Sequence, residues 1–301
     1  MEIFDVFESS QRFNPLFDFL FFKIFGEKGD EKQLIGFLNA VLWRTGGRSG
    51  KELIKDVEIQ ENKSFIKNII DGKSCILDIL AILEDGTKVN IEVQLSNKYN
   101  MERRSMFYSS KILLEGFKEG QDYRELPNVI AINIVDFDFP VHGGVHTCFR
   151  LREDTDPTNI LTPALEIHFI NMVKWRKQTE RDIVNDPLHR WLIWLDETSP
   201  VEMVEEVVNM DNAIMAANER QDFLLQDDDE RRNYWSLRMA EHDRISNLNG
   251  ARREGEEIGE ERGEKRTRHE IARNLLAENS SPEFVQKITG LSLEEIATIS
   301  L

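Results

Sequence analysis

Residues 74–95 read SCILDILAILEDGTKVNIEVQL, and how this stretch folds back on itself decides the architecture. Ile76 to Leu83 is a nearly unbroken apolar run holding one acid, Asp78, while Lys88 to Leu95 alternates polar and apolar residues. Two such runs around a turn-forming segment form a β-hairpin. Strand side chains alternate between faces, so Glu92 and Gln94 share one. A carboxylate inside an apolar strand is costly to bury unless it is paired, protonated or bound to a metal. Asp78 and Glu92 are therefore the first candidate functional residues.

The turn admits two registers. A two-residue Asp85-Gly86 loop would pair Asp78 with Val93 and send Asp78 and Glu92 to opposite faces. A three-residue Glu84-Asp85-Gly86 loop puts Gly86 where a type I turn with a G1 bulge needs a left-handed residue. It pairs Leu83 with Thr87 and hence Asp78 with Glu92. Gly86 fits the second, which also brings the two carboxylates to within roughly 4.5–5.5 Å at Cβ. We expect that register.

Working outward, Asn14-Pro15 precedes LFDFLFFKIFG, a short apolar helix that stops at Gly26 and carries two charges, Asp18 and Lys23. The bland reading of those two is a pair of solvated positions. A second helix from about Asp30 to Leu42 carries Leu34, Phe37, Leu38 and Val41 at helical spacing, a core stripe. Val57 to Asn62 alternates as a strand, and Asp71-Gly72 signals a turn. After the hairpin, Asn97 to Lys118 reads as a helix with Met106, Leu113, Leu114 and Phe117 toward the core. Arg104, Tyr108, Lys111 and Lys118 fall along another face. A charged stripe is usually solvated, but a basic one with a tyrosine also suits a phosphate backbone. Asn128 to Val135, NVIAINIV, is a further buried strand. The order helix, strand, strand, strand, helix, strand implies an α/β core with a mixed sheet.

Two more strand-like runs follow, His142 to Arg150 and Ala164 to Asn171. His142, His146 and Cys148 lack a matching second cluster of metal ligands, so they read as turn and strand residues; His168 reads as a strand residue. Trp191 and Trp194 in PLHRWLIWL are core. The chain then becomes helical and acidic, and QDDDE at 226–230 reads as solvent-facing. Gly255, Gly259 and Gly263 mark either a small-residue face for helix packing or a hinge. The tail holds three short helices, the last opened by a Ser292/Glu295 capping box. It could be a helix-turn-helix or an assembly module. With Lys287 the one Lys or Arg after Arg273, assembly is the preferred reading. The expected domains are 1–200, an acidic helical extension over 201–265, and a tail module over 266–301.

Composition narrows the class. The 301-residue chain carries a net charge of −17, split as −4 over residues 1–150 and −13 over 151–301, so most of the acidity lies away from the hairpin. No run approaches a membrane span, and nothing near Met1 resembles a signal peptide. Cys75 and Cys148 form no disulfide framework. A cytoplasmic location and no membrane partner are the expectation.

Asp78, Glu92 and the Val93 carbonyl form an oxygen donor set suited to a hard cation, Mg²⁺ first and Mn²⁺ second. Such an ion lowers the pKa of water and stabilises charge on a phosphodiester, and Gln94 could orient the attacking water. The combination of FDFLFFKIFG, LDILAILEDGTKVNIEVQL and ERRSMFYSSKIL resembles the Rpn family of recombination-promoting nucleases, also labelled transposases, within the PD-(D/E)XK superfamily. The resemblance covers roughly residues 12–175, and ITGLSLEEIATI is similar to the family's C-termini. It implies a restriction-endonuclease-like core with an α-helical C-terminal extension, and a metal-dependent DNA endonuclease. Asp78 and Glu92 fall on the metal-binding acids and Gln94 on the third motif position. Asp18 and Lys23 fall on the N-terminal motif, and Arg104 and Tyr108 on the following helix. Gln94 stands where the wider superfamily has lysine, and glutamine can neither titrate nor carry charge. Lys23 or Arg104 would have to supply the cation. The expected function is a Mg²⁺-dependent endonuclease of recombination or transposition type, dimeric through its C-terminal helices. The alternatives are a catalytically silent DNA-binding or self-associating scaffold, and an assembly protein acting through residues 200–301.

Overall fold

Strands β1 (Val57–Ile59), β2 (Asp78–Leu83) and β3 (Lys88–Gln94) form an antiparallel meander. The computed structural model describes residues 12–43, 54–60, 78–96, 100–115, 117–138 and 143–299, without the side chain of Asp78. The expected turn at Asp71-Gly72, as well as Cys75 and His142, lies outside the described residues. The hairpin takes the three-residue loop. Gly86 sits at φ +80°, its N–H donates to Leu83 O, and Leu83 N–H donates to Thr87 O, both at 2.9 Å. Asp78 therefore stands directly opposite Glu92.

Strands β4 (Val129–Val135), β5 (His146–Arg150) and β6 (Leu165–Asn171) complete a six-stranded mixed sheet of order β1-β2-β3-β4-β6-β5. β3, β4 and β6 run parallel, and β5 closes the far edge antiparallel to β6. All seven residues of β4 are buried, as expected of a central parallel strand covered on both faces.

Two unequal layers cover the sheet. On one face, Ile79, Ala81, Val89, Ile91, Ile132 and Ile134 join the main core with helices α1 (Asp18–Phe25) and α2 (Lys32–Trp43). On the other lies α3 (Met101–Leu114), where Met101 packs with Ala131, Val135, Ile167 and Phe169. The main core also takes residues from α4 (Met172–Lys177), α5 (Pro187–Leu195), α6 (Val201–Met210) and α7 (Asn212–Gln226). Trp191 and Trp194 are fully buried there, as expected. A Cβ at Gly36 would overlap that of Ala213, so glycine is what lets α2 approach α7. Arg176 at the end of α4 forks Asp136, at 2.5 and 2.9 Å, and reaches Asp196 at 3.0 Å, tying the end of β4 to the end of α5.

Packing of the first compact unit continues past residue 200, where a domain boundary was expected. The first compact unit runs to Leu237, because Val204, Val207, Ile214, Ala217 and Leu224 complete its core. Tyr234, in the 50-residue helix α8 (Asp228–Ala277), is also inside it: its hydroxyl accepts from Asn14 N–H at 3.1 Å and its ring meets Phe13 and Phe17 edge-on. The acidic run at 227–229 is exposed, and Asp227 caps α8 by accepting from the N–H groups of Asp229 and Glu230. Gly255, Gly259 and Gly263 are helical and exposed, which removes the hinge reading, and nothing among the described residues packs on them.

The second unit, 238–301, closes a small core of Ala272, Val285, Leu291 and Ile296 from the end of α8, α9 (Pro282–Thr289) and α10 (Leu293–Ala297). Ser281 caps α9, left-handed Gly290 ends it, and the Ser292/Glu295 capping box opens α10. No helix among the described residues is long and apolar enough to cross a membrane.

The reach of the first core past residue 230 sets an expectation for stability. Tyr234→Ala is expected to cost about 3–5 kcal/mol, the range for emptying a buried aromatic site. Leu248→Ala, at an exposed position of the same helix, is expected to stay within about 0.5 kcal/mol. Urea unfolding midpoints of the full chain check both.

Candidate active site

Strand β3 is flanked by β2 and β4, yet its α3-facing side carries Asn90, Glu92 and Gln94, all buried. Glu92 is 1% exposed. Register aligns Asp78, Glu92, Asn133 and Phe169 in one row across four strands. Lys88 N–H bonds to Asn128 O and Gln94 O to Asp136 N–H, so the even-numbered residues of β3 bond toward β4. The Asp78–Glu92 pair is thereby a non-hydrogen-bonded one, the type with the shorter Cα separation. The Val93 carbonyl, of opposite parity, points to the β2 side. Register thus brings Asp78, Glu92 and the Val93 carbonyl to one end of the hairpin, and their oxygens are the donor type that a hard cation takes.

Helix α3 supplies the roof. Arg104 Nη2 lies 2.6 Å from Glu92 Oε1, an ion pair by proximity rather than an aligned hydrogen bond. Its guanidinium carbon is 5.4 Å from the centre of the Tyr108 ring. At the next residue, Ser105 Oγ accepts from Asn133 Nδ2 at 3.0 Å. At the other end of α3, Lys88 Nζ donates to the carbonyls of Ile112 and Glu115 at 3.2 and 2.9 Å, matching a cation to the helix C-terminus.

These contacts overturn the expected orientation of α3. Its buried residues are Met101, Ser105, Ser109 and Ile112, whereas Met106 is 45% and Phe107 66% exposed, and Leu114 faces solvent too. The inward face meets a polar row on the sheet, so small polar residues fit there and the apolar ones lie outside. The helix also ends at Leu114, which leaves Lys118 beyond it. Arg104, Tyr108 and Lys111 do not form one solvated stripe: Arg104 points in to Glu92, Tyr108 is half-buried and Lys111 is exposed.

Asp18 and Lys23 lie in α1, whose apolar residues belong to the core on the opposite sheet face. Lys23 Nζ is held by Glu27 at 3.1 Å and Glu230 at 2.9 Å, not by Glu92. Burial alone would lower the Lys23 pKa; the two glutamates outweigh it and raise it. Asn133 was missed as a site residue. Its signal was being the one polar residue within the strand run VIAINIV, 129–135.

The site is thus a mixed sheet whose hairpin register pairs two acids, under a helix that presents an arginine to one of them. The sequence model of the family described as PD-(D/E)XK nuclease family transposase matches residues 15–251, and the chain belongs to that family. Residues 265–301 match the C-terminal helix-turn-helix domain of the Rpn/YhgA-like nuclease family. That corrects the preference for an assembly module, which rested on counting basic residues. No curated protein and no solved structure matches the chain.

Arg104→Met removes the guanidinium beside a carboxylate that stays buried, and is expected to destabilise by about 3–5 kcal/mol. Glu92→Gln/Arg104→Met together should recover most of that loss. A double-mutant cycle in urea measures the coupling.

Proposed function

We propose that this protein is a divalent-metal-dependent DNA endonuclease that hydrolyses phosphodiester bonds in recombination or transposition. The observation that carries the reading is the strand register that sets Asp78 opposite Glu92 in a chain of the PD-(D/E)XK family. Asp78, Glu92 and the Val93 carbonyl would hold Mg²⁺, or Mn²⁺ in its place. A bound divalent cation supplies Lewis acidity, acidifying water and neutralising charge that develops on the phosphate. Gln94, on the face of Glu92, orients the attacking water by hydrogen bonding. Arg104 carries the positive charge that Gln94 lacks, and its release from Glu92 would let it turn to the substrate phosphate. Tyr108 and Lys111 continue the contact along the DNA backbone. Asp18 and Lys23 take a structural part, since Lys23 joins α1 to the start of α8 through Glu230. The helix-turn-helix at 265–301 supplies a second DNA contact, and pairing of C-terminal helices supplies the dimer that cutting both strands requires. A cytoplasmic setting goes with this reading.

A second reading, a catalytically silent fold that binds DNA, is favoured by one observation: Arg104 already sits on Glu92. Supercoiled plasmid separates the two. The nuclease reading expects nicking with Mg²⁺ or Mn²⁺, none with EDTA, and a fall of roughly 100-fold or more in Asp78→Ala and Glu92→Ala. Plasmid retarded in gels by folded wild-type protein, but uncut with every metal, would leave the silent fold standing.

A further inference from the structure

A second constellation lies on the other face of the sheet, at its β5 edge. Strand pairing sets Cys148 directly opposite His168 and Arg150 opposite Glu166, while Glu166 and His168 share a face two residues apart. His168 aligns with Ile132, whereas Glu92 aligns with Asn133, so this cluster and Glu92 point to opposite sides. His168 is fully buried; Cys148 and Glu166 are half-buried, which leaves an approach from solvent.

The distances have the form of a metal site. His168 Nε2 is 3.7 Å from Cys148 Sγ and 3.3 Å from Glu166 Oε2. Tetrahedral zinc with ordinary bond lengths needs about 3.6 Å between sulfur and nitrogen and about 3.3 Å between nitrogen and oxygen. Ligand atoms of all three residues lie within 4.8 Å of one another. The other ring nitrogen is also engaged: His168 Nδ1 is 3.0 Å from His146 Nε2, with the two rings stacked. Metal-bound histidines characteristically hold their far nitrogen in this way, which fixes the tautomer and the ring plane. Arg150 grips Glu166 from the side, Nε to Oε1 and Nη2 to Oε2, both at 3.0 Å.

We propose that Cys148, Glu166 and His168 bind a zinc ion with an open fourth position, oriented by His146 and independent of the nuclease centre. Mixed sulfur, nitrogen and oxygen donors select zinc over Mg²⁺, which takes oxygen alone. Burial pushes the Cys148 thiol up to about 11. Burial would also raise Glu166, but hydrogen bonds from His168 and Arg150 hold its carboxyl down at about 2. Tied to β6 and the edge strand β5, the ion would clamp the sheet edge farthest from β1.

Cobalt titration of the full, chelator-stripped chain tests this. Expected is a near-ultraviolet thiolate-to-cobalt charge-transfer band with tetrahedral visible bands, saturating at a single equivalent and reversed by Zn²⁺. The charge-transfer band should vanish in Cys148→Ser and persist in Cys75→Ser and Glu92→Gln. His146→Ala should weaken Zn²⁺ about 10–100-fold against a chromophoric chelator while keeping the band. A wild-type chain without the band, or a band that survives Cys148→Ser, overturns the site.

Discussion

A carboxylate in a fully covered strand is the constraint around which the α3 side of this fold is built. Glu92 cannot be solvated where it lies, and removing an ionised group from water costs several kcal/mol even after relaxation. The sheet answers with a row of polar groups rather than a single partner. Asn133 continues the row into β4, Ser105 meets Asn133, and Arg104 brings the compensating charge. The inward face of α3 is consequently polar and small. Asn133 Nδ2 also donates to the backbone carbonyl of His168, so the row is joined to β6 without an apolar contact.

The opposite face follows the ordinary rule. Aliphatic and aromatic residues from seven of the described helices fill one continuous core, reaching in sequence from Leu16 to Tyr234. The fold thus assigns stability and chemistry to different faces of one sheet. Since β3 alternates between them, Val89, Ile91 and Val93 anchor the same strand that presents Asn90, Glu92 and Gln94. The acidity of the chain is compatible with a nucleic-acid partner on this plan, because the hairpin belongs to the less acidic half.

Local chemistry made part of this legible. Gly86 selected the hairpin register, and that register alone was enough to bring Asp78 and Glu92 together. Strand β4, the Trp-bearing helix and the Ser292 capping box were equally readable, each resting on a few neighbouring residues. What escaped depended on distance along the chain. The orientation of α3 was misread because apolar spacing identifies the core side only when the opposing surface is apolar. Lys23 finds Glu230 across 207 residues, and the completion of the first core by α6, α7 and Tyr234 is likewise non-local. His146 and Cys148 looked solitary because their companions come from β6, aligned by a pairing that no short window contains.

The polar underside of α3 has an energetic corollary. Apart from Met101 and Ile112, its residues facing the sheet are serines and Arg104, and its far end is fastened by the Lys88 ammonium. Each tie is one that water can replace, whereas the strands beneath are joined by ladders and a continuous apolar core. Lifting this helix therefore forfeits far less free energy than parting the sheet. Amide protons of α3 should exchange through that local opening well before those of β3 and β4. The cover of the acid pair is thus the part of the molecule that can be raised without unfolding what lies beneath.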